Sequence, residues 1–436
     1  MYRRDLETLD PEDRRDLQLT RFARLIDRLN QIDTPYWSAK LDASVEVHSI
    51  EDVHALPFTE KAEFRENYPY GMVTVPMDQV VRIHASSGTS GKPTIVSYTT
   101  EDVRLFAEVV ARSLSAAGAN AGDIVQNAYG YGLFTGGLGF HYGIEELGAT
   151  VVPASGGNPG FQVSLMADTG VTGLASTPSF ALLLAERAEE MGRKSDIGLR
   201  WGIHGAEPWS EPLREKLEVA WGPGYDAVDV YGLSEVIGPG VASECRENKG
   251  GLHIFEDHFL PEIVDPETGD LMGEGEPGEL VITTLTRQAQ PVIRYRTRDI
   301  TRFLPGPCPC GRTTRRMARV EGRADDMLIV RGINVYPRTI EEVLMSDPEV
   351  GPNYAIIVDR RGALPELEAR VELVEAALVD RRDLIAARLQ DRLAETIRLR
   401  VEVMVGMPGS LPRAEAGKAK RVFERTSDED PLTTTS

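Results

Sequence analysis

The sequence predicts an α/β protein with a large N-terminal α/β domain carrying a β-rich subdomain, and a small C-terminal α+β domain. Two observations carry this. From about 80 to 300, short β-branched runs such as Val80-Val81-Arg82-Ile83 and Val151-Val152 alternate with amphipathic stretches such as 100–117. Alternation of that kind implies parallel strands joined by helices. The texture then changes twice. Between 255 and 304 it becomes short strands with turn signals, Asp265-Pro266-Glu267-Thr268-Gly269 and Glu276-Pro277-Gly278. From about 326 it becomes helix-rich, with apolar periodicity over 340–345 and 381–397.

Taken in order, residues 1 to about 75 read as helical and charged, and end at the punctuated run Asn67-Tyr68-Pro69-Tyr70-Gly71. The helix from 100 has Thr100 as its expected cap, with Glu101 and Asp102 in the first turn where acids favour the helix dipole. The domain boundary falls near Asp325, which gives domains 1–325 and 326–436. The acidic end, Thr426 to Ser436, reads as a disordered tail.

The 436 residues are 41% hydrophobic and 27% charged, with a formal net charge of −20. That composition suits a globular protein, and that charge opposes nucleic acid and anionic membrane as partners. A polyanionic ligand therefore requires a local positive site. No apolar run reaches membrane-span length, and the opening Met1-Tyr2-Arg3-Arg4-Asp5 has no apolar signal core, so a cytoplasmic protein is expected. Cysteines occur only at 245, 308 and 310. An odd number in a reducing compartment argues against a disulfide framework and leaves metal binding or plain burial.

The most informative segment is Ser86-Ser87-Gly88-Thr89-Ser90-Gly91-Lys92-Pro93-Thr94, set between the apolar runs at 80–83 and 95–96. Small residues let backbone N–H groups approach phosphate oxygens, hydroxyls add donors, and Lys92 supplies charge. Ser86 stands where a Walker loop has its first glycine and Pro93 where it has Ser or Thr, so this is a different phosphate loop.

This loop resembles that of the adenylate-forming superfamily. Arg82-Ile83-His84-Ala85, the run from Tyr129 to Gly137, Gly205-Ala206-Glu207-Pro208-Trp209 and Tyr231-Gly232-Leu233-Ser234-Glu235 resemble its phenylacetate–CoA ligase branch. The resemblance runs nearly end to end, from Leu56-Pro57-Phe58-Thr59 to Gly417-Lys418. It implies an ATP-dependent enzyme that activates an aromatic carboxylic acid, phenylacetate-like or benzoate-like, to an acyl-adenylate. The acyl group then passes to coenzyme A. A stand-alone enzyme loading the phosphopantetheine of a carrier protein is the alternative, and a non-catalytic nucleotide-binding regulator is a reading from another class. Relatives are often homodimers.

The same resemblance implies the roles of individual residues. Ser86, Ser87, Gly88, Thr89, Ser90, Gly91 and Lys92 would cradle the phosphates, and Glu235 would hold Mg²⁺. Gly205, Ala206, Glu207 and Pro208 would line the adenine, with Asp229, Tyr231 and Gly232 beside it. Asp299 would accept both ribose hydroxyls, a job that suits the two acceptors of a carboxylate; from chemistry alone a salt bridge in its Arg-rich segment is equally expected. Arg323 would touch the nucleotide, Asp325 would be the hinge of a mobile C-terminal domain, with Asp326 the alternative, and Lys418 would bridge carboxylate and α-phosphate, with Lys420 its rival. The acid pocket would draw on Tyr129, Tyr131, Phe134, Ala206, Ile237, Gly238 and Pro239, with Lys61 as a contact to the carboxylate. Core burial is the plain alternative for Tyr129 and Phe134.

Cys308-Pro309-Cys310 places two thiols on one tight turn, and Cys245 is followed by His253. Three sulfurs and an imidazole suit a closed tetrahedral Zn²⁺ site, though the spacing is not that of a standard finger. Some relatives in the resembling branch carry a similar cysteine set, which favours structural zinc over buried free thiols. His258 is the competing fourth ligand.

Overall fold

The protein is described by a computed structural model that covers residues 1–41, 46–86, 92–324, 326–331, 333–362, 364–414 and 417–433. A nine-stranded sheet forms its centre, ordered 303–304, 316–317, 248–254, 238–245, 226–233, 201–205, 173–176, 124–127 and 150–152. The last five of these, from Asp226–Leu233 to Thr150–Val152, pair in parallel as the alternation predicts. The other four are antiparallel additions.

The helices of this domain are built from local signals. Thr100–Ala116 is capped not by Thr100 but by Thr99, whose side chain accepts from the Asp102 N–H while Asp102 accepts from the Thr99 N–H. This reciprocal capping box makes Thr99 the better cap, one residue before the expected one. Pro159–Thr169, Pro178–Glu190 and Glu211–Trp221 start on Asn158, Thr177 and Ser210 caps, each with proline in the first turn, where its missing N–H costs nothing.

The run at 80–83 does not join the parallel sheet. Arg82–Ser86 pairs only with Thr94–Tyr98, as an antiparallel hairpin whose closing pair is Ser86 with Thr94. Seven intervening residues suffice for a hairpin and are too few for a parallel crossover. The β-rich region is a separate four-stranded antiparallel sheet of Phe259–Val264, Gly278–Thr284, Tyr295–Thr301 and Gly322–Arg323.

Beyond it, a Leu328–Val330/Ile333–Val335 hairpin leads into a small unit with a four-stranded sheet flanked by helices Pro337–Met345 and Arg382–Ile397. The 426–433 tail is placed against this unit, contrary to expectation. Asp428 pairs with Arg361 at 2.7 Å, Asp430 with Arg370 at 2.6 Å, and Leu432 packs on the Ala355, Ile357 and Phe423 cluster. Its acids meet arginines that composition alone does not place. No helix among the described residues is long and apolar enough to cross a membrane.

Candidate active site

Open α/β sheets hold ligands beyond the carboxyl ends of their strands. Here Gly205-Ala206-Glu207-Pro208 follows Trp201–Gly205, and Tyr231 to Glu235 ends Asp226–Leu233, so two predicted motifs meet at neighbouring parallel strands. Backbone proximity dictates their glycines. A Cβ on Gly205 would lie 2.3 Å from the Val230 carbonyl oxygen, and one on Gly232 would lie 1.9 Å from that of Gly238. Ala206 has φ of 69°, a left-handed conformation that a non-glycine residue adopts only where the surroundings hold it.

Asp299 sits on Tyr295–Thr301, directly across from Arg323 in the sheet. The Tyr231 hydroxyl donates to its Oδ2 at 2.5 Å, and Arg323 Nη1 lies 3.6 Å from Oδ1. The salt bridge expected from its Arg-rich segment is therefore present, made by Arg323 across the sheet. Burial raises the Asp229 carboxyl to about 6, opposed by the nearby Arg214 charge. Asp229 is braced from behind: its N–H donates to Glu244, which is clamped by Arg214 at 2.6 Å and Arg319 at 3.1 Å.

Glu235 is only 4% exposed, and the Lys61 ammonium lies 3.0 Å from its Oε1. Lys61 thus reaches the predicted metal-binding carboxylate. Ser86 ends the first strand of the hairpin, and the Lys92 ammonium sits 5.3 Å over the Tyr68 ring. The predicted phosphate contacts Ser87, Gly88, Thr89, Ser90 and Gly91, and the predicted hinge Asp325, lie outside the described residues.

Lys418 arrives from the small unit. Its loop is held by the Ala419 N–H donating to Glu207 Oε1 at 2.9 Å and by the Gly417 carbonyl, which accepts from Thr177 at 3.4 Å. Part of the Lys418 side chain meets solvent, yet protein crowding around the ammonium holds it below the usual lysine range. Glu207 and Asp299 oppose that shift, whereas Arg323 and Lys61 add to it. Three cations, Lys418, Arg323 and Lys61, and three anions, Glu207, Asp299 and Glu235, thus gather from distant parts of the chain in a protein with a net charge of −20. Lys420 instead lies 4.9 Å over the Phe423 ring.

Tyr129 is 4% exposed and stacks on Phe140 with centroids 4.9 Å apart, so it is part of the core as well as a wall. Phe134 is not core: it is 38% exposed at the start of Thr135–Leu147. Tyr131 is half-buried, accepts from Asn127 at 2.8 Å and lies 3.1 Å from His141 Nδ1. Ile237 and Gly238 are buried, with Pro239 beside them and Ala206 packed against the same core.

The cysteines converge. Cys245 Sγ lies 3.6 Å from Cys308 Sγ, and Cys310 Sγ lies 3.4 Å from His253 Nε2. Cys245, His253, Cys308 and Cys310 present ligand atoms all within 4.8 Å of one another. Tetrahedral coordination with Zn–S of ~2.3 Å and Zn–N of ~2.0 Å requires edges of ~3.8 and ~3.5 Å, so the donor set fits zinc. The His253 Nδ1 is 3.1 Å from the Thr314 hydroxyl, an arrangement that leaves Nε2 facing the thiols. The adjacent Cys245 thiol, with help from His253 and the Arg312 N–H, holds Cys310 below the usual thiol range. His258 is not in this group. It lies 3.0 Å from Asp257 and 2.9 Å from Thr286.

Residues absent from the sequence prediction include Tyr68 under Lys92, His141 beside Tyr131, and the Arg214, Glu244 and Arg319 brace. Glu244 and Arg319 are 75 residues apart, and no local pattern announces such a pairing.

Known proteins resemble this chain along most of its length. The AMP-binding enzyme family matches residues 24–286, and the AMP-binding enzyme C-terminal domain matches 332–426. Phenylacetate-coenzyme A ligase of Thermus thermophilus is 46% identical over 97% of this chain and 99% of its own length. That of Escherichia coli is 48% identical over 90% of both. Among solved structures, 2-hydroxyisobutyryl-CoA ligase in the postadenylation state with 2-HIB-AMP superposes with a TM-score of 0.89 at 26% identity, covering 96% of this chain and 91% of that one. The same ligase with 2-HIB-AMP and CoA in the thioesterification state gives 0.71 at 27% identity over the same shares. The chain belongs to the AMP-binding family of adenylate-forming enzymes, in its phenylacetate–CoA ligase branch.

Proposed function

We propose that the protein is an AMP-forming acid–CoA ligase whose substrate is a small aromatic carboxylic acid, phenylacetate-like or benzoate-like. The observation that carries this is the delivery of Lys418 by the small unit into the cleft holding Glu207, Asp299, Arg323 and Lys61. In the first half-reaction an acid carboxylate oxygen attacks the α-phosphorus of ATP, and the bond to pyrophosphate breaks. Two anions meet in that step, and fixed cations offset the charge where it develops. Lys418 is the cation positioned between carboxylate and α-phosphate, and Lys92 serves the β- and γ-phosphates. Asp299 accepts from the ribose hydroxyls, Asp229 and Tyr231 border the adenine, and Tyr129, Tyr131, Phe134, Ile237, Gly238 and Pro239 frame the acid. In the second half-reaction the CoA sulfur attacks the acyl carbon, the bond to AMP breaks, and the thiol proton is lost.

Glu235 fits Mg²⁺: it is a buried hard-oxygen donor that already holds a cation, Lys61, at 3.0 Å. Bound there, the ion would neutralise phosphate charge. Cys245, His253, Cys308 and Cys310 would hold Zn²⁺ with no open position, as a structural clamp between Gly238–Cys245 and the 305–314 loop. In this reading the boundary falls at 325, after Gly322–Arg323 and before the hairpin that opens the small unit. That unit rotates there between two poses.

The test is acid-dependent pyrophosphate release over a panel of aryl and aliphatic acids, with and without CoA. Release with an aromatic acid and CoA-dependent turnover are expected. Aliphatic acids alone as substrates would overturn the aryl assignment, and turnover indifferent to CoA would overturn the acceptor.

A further inference from the structure

The small unit meets the large one along helices Pro178–Glu190 and Glu211–Trp221, and the polar contacts there cross the proposed boundary at 325. Lys216 Nζ donates to the Val350 carbonyl at 2.6 Å and to the Asp347 carbonyl at 3.0 Å. The Asp347 carboxylate is already taken by Arg388 at 2.8 and 2.9 Å, so the lysine reads backbone, just past the C-terminus of Pro337–Met345. A cation is favoured there by the helix dipole. Glu186 is the second anchor. It accepts from Asn353 at 3.0 Å and pairs with Arg413 at 3.0 Å. A third contact is the Ser210 N–H, which donates to the buried Glu341 at 2.8 Å.

These contacts share two properties. Each joins a large-domain residue to a small-domain residue, and none of the side chains involved is one assigned to the nucleotide, the acid or a metal. Apolar packing also crosses this seam, because Trp209, Leu213 and Leu217 belong to the same cluster as Ile340, Leu344 and Val350. Apolar contact is non-directional, however, and a domain can slide on it. Directed bonds from a half-buried ammonium to two carbonyls fix one orientation. The chain superposes at 0.89 on a postadenylation structure and at 0.71 on both a thioesterification and an open structure of the same ligase, so the arrangement that makes these bonds resembles the postadenylation one.

We propose that Lys216 and Glu186 are positioning residues that hold the small domain in the pose delivering Lys418, and so set the rate of adenylation without serving thioester formation. This rests on the ligase reading above. Removing either anchor leaves both sites chemically whole. It lowers only the fraction of molecules in the adenylating pose, and adenylation falls in proportion.

The two half-reactions are read separately in Lys216→Met, Lys216→Arg and Glu186→Gln. Adenylation is followed as acid-dependent ATP–pyrophosphate exchange, and transfer as thioester formation from supplied aryl-adenylate and CoA. Loss of a charged donor to two carbonyls lowers exchange by about tenfold in Lys216→Met. Transfer is expected unchanged or faster, the melting temperature close to wild type, and Lys216→Arg restored toward wild-type exchange. Glu186→Gln, which acts on the other helix, is expected to shift the ratio in the same direction. Parallel loss of both half-reactions, or unchanged exchange in both Lys216→Met and Glu186→Gln, overturns the proposal. Absence of exchange in the wild-type protein overturns the ligase reading, and this proposal with it.

Discussion

Lys418 and His204 are both crowded by protein, yet crowding has opposite uses for them. For Lys418 it holds a partly exposed cation, near Glu207 and Asp299, below the usual lysine range. Lys418→Ala should lower acid-dependent exchange by roughly two to three orders of magnitude, with ATP binding and transfer from supplied aryl-adenylate largely kept. Equal loss of all three would refute the role. His204 is a structural group. Fully buried, it lies 2.7 Å from the Tyr225 hydroxyl and 3.1 Å from the Ser176 carbonyl, and burial pushes it from 6.5 down to about 4. The unfolded chain therefore binds a proton that the folded one refuses. The resulting stability is complete above 6.5 and is lost as pH falls toward 4, by roughly 2.5 kcal/mol at about pH 4.5. Urea unfolding of wild type and His204→Gln across this range checks it: the variant should show the shallower decline, and identical slopes would dispose of the idea. His204 lies on Trp201–Gly205, the strand that runs into the Gly205-Ala206-Glu207-Pro208 motif, but its neutrality depends on partners 21 and 28 residues away and could not be read in advance.

At the scale of elements, hairpins and loops are held together by distant partners. The 305–314 loop shows this. Its Cys308 and Cys310 reach Cys245 and His253 on adjacent strands of the main sheet, while Glu7 at the N-terminus pairs with Arg312 at 2.5 Å. Removing one thiol of the proposed Zn²⁺ site would open the loop on that side only. Cys310→Ser, or chelation of the wild type, should lower the melting temperature by roughly 5–10 °C, with a smaller effect on exchange at saturating substrates. Metal analysis finding no zinc in purified protein would end that assignment. The cysteine set was legible because few residue types bind zinc, whereas the choice of His253 over His258 needed the strand register that pairs His253 with Arg316. The Arg82–Ser86 hairpin was misassigned to the parallel sheet for a related reason. A β-branched run gives strand character but not its partner. Thr99 and Thr100 differ by one place for a cap, and the reciprocal bond with Asp102 decides between them.

At the scale of the molecule, the two-part architecture was visible as a change of texture near 325, but the seam between the parts was not. Its anchors, Lys216 and Glu186, are ordinary charged positions on amphipathic helices, and nothing local distinguishes them from solvated ones. The seam makes a prediction about salt. The Glu186–Arg413 pair is only half-buried, with side chains 33% and 20% exposed, so added electrolyte weakens it. Raising monovalent salt from ~0.05 to ~0.5 M shortens the screening length from roughly 14 to roughly 4 Å. Docking in the adenylating pose should loosen, and exchange should fall several-fold relative to transfer. Two other salt effects act at the same time. Binding of ATP and CoA, both polyanions, also weakens, so each half-reaction is compared at saturating substrate, where affinity no longer enters. Stability moves the other way: a chain of net charge −20 repels itself, and screening relieves that repulsion. A selective decline in exchange with an unchanged or higher melting temperature would locate the effect at the seam. Equal decline of both half-reactions at saturation would show that charge does not choose between the poses.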